Sequence, residues 1–70
     1  NPSSEDITIS SYNDAFATIR ISNSIGQEIY ACNPLKQIVT INTADWANGV
    51  YTLSCIINDR TFQSKFIVCH

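Results

Sequence analysis

The sequence predicts a small all-β protein, a sandwich of two antiparallel sheets built from six or seven short strands. Three observations carry that. Ile, Val and Thr supply twenty of the seventy residues, Ile alone eleven, against sixteen for Ala, Leu, Glu, Lys, Gln and Arg together. β-branched side chains fit a pleated, half-buried surface better than a helix. Hydrophobicity alternates with a period of two, and Asn, Asp, Gly and Pro punctuate it at short intervals. So many short strands, with no helix to cover them, cannot all bury a face in one open sheet of this size, so two packed sheets are the economical solution. The chain is sized for one domain over 1–70, burying about 60% of its unfolded surface.

The first strand is 7–9, with Ile7 and Ile9 flanking Thr8 after an Asn1-Pro2-Ser3-Ser4 lead-in. Next, Ala15, Ala17, Ile19 and Ile21 line one face against Thr18, Arg20 and Ser22, with Phe16 on the polar side and assigned a packing role. Asn23-Ser24-Ile25-Gly26 is a turn with Gly26 as the natural holder of a positive φ. The third strand, 27–32, sets Ile29 and Ala31 against Glu28 and Tyr30, so that 16–32 forms a hairpin ended by Asn33-Pro34. A fourth strand spans 37–42, with Val39 and Ile41 opposite Ile38 and Thr40. At 43–48, Thr43 or Asp45 is placed to cap a single helical turn too short to be a helix, with Trp46 plugging one end of the core. The strand 50–57 puts Tyr51, Leu53, Cys55 and Ile57 on one face. After Asn58-Asp59-Arg60, the last strand, 61–68, alternates Phe62, Phe66 and Val68 with Gln63, Lys65 and Ile67. Residues 50–68 thus form a second hairpin.

Several functions are disfavoured at once. A formal charge of −2 gives no basic face for nucleic acid or anionic lipid. No apolar run is long enough to span a membrane, and no charged-then-apolar leader opens the chain. Cys32, Cys55 and Cys69 are an odd set, allowing at most one internal disulfide. Their spacing, with His70 the lone histidine, does not suggest a metal site, and no cofactor is expected. Cys69 and His70 are adjacent on a strand and point to opposite faces, a poor nucleophile and base. An exposed Trp46 beside Asp45 would suit sugar stacking. The final strand is a candidate edge, guarded chiefly by Lys65, where a peptide or a second copy could pair.

Taken in order, the motifs resemble a known family. Asn1-Pro2 is followed by Ile7-x-Ile9, then by Ala17-Thr18-Ile19-Arg20-Ile21 and, after four residues, Gly26-Gln27-Glu28-Ile29. Ile41 and Trp46 precede Asn48-Gly49-Val50-Tyr51-Thr52-Leu53, and Lys65-Phe66-Ile67-Val68 closes the set near the carboxyl terminus. This resembles the type A C-terminal sorting domain carried by cargo of the type IX secretion system of Bacteroidetes. The resemblance implies an immunoglobulin-like sandwich, a non-catalytic tag on an N-terminal cargo, exported through the periplasm to the cell surface or beyond. The implied partners are the outer-membrane translocon and a sortase-like cysteine peptidase that removes the domain. Carried over by position, the recognition residues are Gly49, Tyr51, Lys65, Phe66, Ile67 and Val68, with Gly26 matching the turn glycine. Lys65 is the best candidate for direct contact, while Tyr51, Phe66 and Val68 also read as core. The last hairpin has Asn58-Asp59-Arg60 where the family usually has glycine or Asn-Gly, and the cysteines lie outside the pattern. The alternative reading is an immunoglobulin-like adhesion or carbohydrate-binding module appended to an extracellular enzyme.

Overall fold

A computed structural model describes residues 6–69 of the chain; the Asn1-Pro2 motif and His70 lie outside the described residues. Six strands follow in order: β1 (Asp6–Ser10), β2 (Thr18–Ser22), β3 (Glu28–Cys32), β4 (Ile38–Asn42), β5 (Gly49–Ile57) and β6 (Arg60–Val68). They form an all-β, immunoglobulin-like sandwich of unequal layers, one sheet ordered β1-β4 and the other β3-β2-β5-β6, every pair antiparallel.

The core lies between the layers and follows the alternation. Ile19, Ile21, Tyr51, Cys55 and Val68 point inward from the large sheet and Ile41 from the small one, and all are buried. Ile7, Ile9 and Val39 complete the small sheet's inner face, and Tyr30, Cys32, Leu53, Ile57 and Phe66 that of the large one, all half-buried against that core. A two-stranded layer cannot roof a four-stranded one, so Phe62, at an inward register position near the start of β6, remains 49% exposed.

Phe16 is buried in the core. Its apparent place on the polar side arises because β2 begins only at Thr18, leaving Ala15 and Ala17 exposed outside it. The chain changes sheets here. The Phe16 amide donates to the Lys36 carbonyl at 2.8 Å and its own carbonyl accepts from Leu35 N–H at 3.0 Å. One residue later the Ala17 amide donates to the Ile56 carbonyl of β5 at 2.8 Å. Phe16 therefore takes its phase from the crossing segment, not from β2.

The third strand also departs from simple alternation. Ile21 pairs with Tyr30 but Ser22 pairs with Glu28, leaving Ile29 as the extra residue of a bulge. The bulge separates Glu28 from Tyr30, which strict alternation would place on one face. Glu28 lies on the outer face, 3.9 Å from Arg20, while the Tyr30 ring lies 6.3 Å from Trp46.

Two turns meet the sequence expectation closely. Gly26 has φ +85°, and the Asn23 side-chain carbonyl accepts from the Ile25 and Gln27 amides at 3.2 and 2.9 Å. Asn58 and Asp59 have φ of +50° and +66°, the two left-handed residues of a tight hairpin. At 43–48 the helix-like turn closes with the Trp46 amide donating to the Thr43 carbonyl at 3.0 Å. The Asn42 side-chain carbonyl accepts from Ala44 N–H at 2.9 Å, and Thr43 is buried.

All three cysteines are free. Cys32 and Cys55 both sit opposite Ile19, on either side of β2. Two strand spacings, about 9.5 Å, exceed the roughly 7 Å that a disulfide can bridge. Cys69 follows Val68, which pairs with Gly49, whereas Cys55 pairs with Phe62, a point well down the hairpin.

Candidate functional site

The β5–β6 ladder brings together motifs that the sequence keeps apart. Gly49 pairs with Val68, Val50 with Ile67, Tyr51 with Phe66 and Thr52 with Lys65. All six residues singled out for recognition therefore occupy one end of one hairpin. Gly26 belongs to the same end. The turn before it, Asn23-Ser24-Ile25, shares a hollow of 200 Å³ with Gly49, Val50 and Tyr51.

Alternation divides these residues into two kinds. Tyr51 and Val68 point into the core, each 5% exposed, and Phe66 is half-buried beside them. The Tyr51 and Phe66 rings stack at 5.7 Å, and Trp46 leans on both, at 5.2 and 6.4 Å. Tyr51 also donates its hydroxyl proton to the Ala47 carbonyl, tying the 43–48 turn to the sheet. Gly49 has φ +154° with open space where a Cβ would stand, so backbone geometry and not crowding selects glycine there.

The other kind faces outward. Lys65 is exposed, and Ile67 is 72% exposed across from Val50 at 44%. Val50 stands within the motif but is not among the residues assigned to recognition. Its signal was present in the alternation, which sets it opposite to Tyr51, but its pairing with Ile67 needed the hairpin register. Beside them on the larger sheet's outer face, Arg20 and Glu28 already offset one another.

Trp46 and Asp45 line a hollow of 310 Å³ with Asn23, Ile29, Ala47 and Tyr51. The indole there is half-buried and packs against three aromatic rings. A larger hollow of 420 Å³ opens between β1 and β6, lined by Ile9, Phe16, Cys55, Ile57 and Phe62 and by the segment after β1. Burial pushes the Cys55 thiol above its ordinary range. Tyr30 is raised as well, first by a hydrogen bond with the Cys32 side chain, then by burial and the charge on Cys32.

A family model described as a secretion system C-terminal sorting domain matches residues 1–69. No curated protein and no solved structure matches the chain.

Proposed function

From the premise that the chain belongs to the secretion system C-terminal sorting domains, the signals of type IX export, we propose how it performs that task. Residues 1–70 act as one unit at the end of a larger cargo, and the outer-membrane translocon holds the unit by the Gly49–Val68 end of its large sheet. The domain is then removed by a sortase-like cysteine peptidase, leaving the cargo at the cell surface or outside. In this reading the domain is a tag and a substrate rather than a catalyst.

The observation that carries the proposal is the register of β5 on β6, which makes neighbours of Gly49, Tyr51 and Lys65 to Val68. Their roles follow from the faces they occupy. Tyr51, Phe66 and Val68 build the platform, Gly49 and Gly26 set the backbone at its end, and Lys65 and Ile67 present the outward contacts. A charge that meets its partner at an interface steers encounter and fixes register. Fused behind a periplasmic reporter in a type IX host, residues 1–70 should carry the reporter to the surface. Lys65→Glu should lower surface display about tenfold, a loss of ~1.4 kcal/mol in recognition, while leaving the melting temperature unchanged. Deleting residues 65–70 should abolish display. Display unaffected by that deletion would refute recognition through this end.

A further inference from the structure

Resting on the sorting reading above, we infer that the partner engages this domain by strand addition, laying an extended acidic segment along the free edge of β6. The two edges of the large sheet are unlike. β3 has five residues, carries the bulge at Ile29 and runs into Asn33-Pro34. Shortness, bulges and proline are the usual means of keeping an edge from pairing. β6 has nine residues, no proline and an unbroken register with β5 from Arg60 to Val68. The β3 edge is blunted along its backbone, whereas the β6 edge, unpaired among the described residues, is guarded chiefly by the charge of Lys65.

The tight hairpin fixes which backbone groups β6 presents. With Asn58 and Asp59 as the two loop residues, Ile57 and Arg60 form the hydrogen-bonded pair that closes it, and bonded and non-bonded pairs alternate from there. Ile56 is consistent with this phase, since its carbonyl accepts from Ala17 on the β2 side. The N–H and C=O groups of Thr61, Gln63, Lys65 and Ile67 therefore point away from β5, toward the open side. They belong to the same four residues whose side chains lie on the outer face.

The chemistry of the guest follows. Arg60 and Lys65 are the charged residues of β6 and both are cationic, although the whole chain carries −2. An acidic side chain next to Lys65 complements it, and an apolar one two positions away extends the Val50–Ile67 pair into a third strand. A second copy of β6 fits less well, because antiparallel self-pairing centred on Ser64 sets Lys65 opposite Gln63 and leaves both lysines uncompensated.

Proline at a position whose amide faces the open side removes one donor and blocks a guest strand without disturbing the β5 ladder. Gln63→Pro does this on β6. On the opposite edge the comparable site is Ala31, which is exposed and stands opposite Arg20. Both variants, with the wild-type 1–70 reporter fusion and the deletion of 65–70, are to be compared for surface display in a type IX host. Isolated 1–70 domains are checked by thermal melting and sedimentation. Gln63→Pro should fold and lose roughly tenfold or more of its display, whereas Ala31→Pro should keep it. A folded Gln63→Pro displayed like wild type overturns strand addition. If the deletion still blocks display in that case, the sorting reading stands without it; if the deletion is also displayed, the sorting reading falls too. A wild-type dimer that Gln63→Pro converts to monomer would overturn the proposal in favour of a second copy as the guest.

Discussion

Tyr51 shows how much a single side chain does in a core this small. Its ring stacks on Phe66, supports Trp46, and its hydroxyl holds the Ala47 carbonyl. Tyr51→Phe keeps the ring and should cost about 1 kcal/mol, the net worth of one hydrogen bond. Tyr51→Ala should cost ~3 kcal/mol or more, because the cavity left beneath Trp46 adds to the lost burial. Denaturant melts of the two variants separate the contributions. Cys55 gives a second prediction. Below the ordinary thiol range the folded and unfolded chains both hold its proton, and it adds no pH dependence. Above that range the unfolded chain ionises first while the buried thiol stays protonated, so stability should fall as pH rises until the raised folded value is passed. Melting midpoints from pH 8 upward should decline, and Cys55→Val should flatten the decline.

Strands and turns were the most legible elements, and their few departures have local causes. Period-two patterning locates β4, β5 and β6 to within about a residue, since each alternates without interruption. The bulge in β3 was not legible, because Glu28-Ile29-Tyr30 satisfies strict alternation as well as it satisfies the bulged register. Only pairing with Ile21 and Ser22 distinguishes the two. Phe16 was misleading for a related reason, since a residue where the chain changes sheets obeys neither strand's phase. The turn Asn58-Asp59 was legible and is improvable. Aspartate at φ +66° tolerates the left-handed region less well than glycine, so Asp59→Gly should raise stability by about 0.5–1 kcal/mol. A lower midpoint in a denaturant melt would show that the aspartate makes a compensating contact.

At the scale of the whole molecule, the sequence determined the two-layer architecture but not how unequal the layers are. Alternation says which residues face inward; it does not say that the small sheet ends before it reaches Phe62. The candidate site was half legible in the same sense. Its motifs could be read from their order, whereas their convergence on one end of one hairpin depends on cross-strand register. The separation of the first strand from the last has a mechanical consequence. Anything pulling on the chain ahead of residue 6 pulls on β1, which among the described residues is laddered only to β4, and anything gripping the other end holds β6, in the other sheet. Among the described residues no strand ladder joins the two sheets, so tension between the ends crosses through side-chain packing and the few backbone bonds of the crossing segment at Phe16 and Ala17. Packed side chains part at lower load than a sheared ladder of hydrogen bonds. In an optical trap pulling from the two termini, the β1–β4 sheet should lift away first, at low force, while β3-β2-β5-β6 stays assembled. A domain joined in this way yields easily along the direction in which cargo and export machinery would draw it.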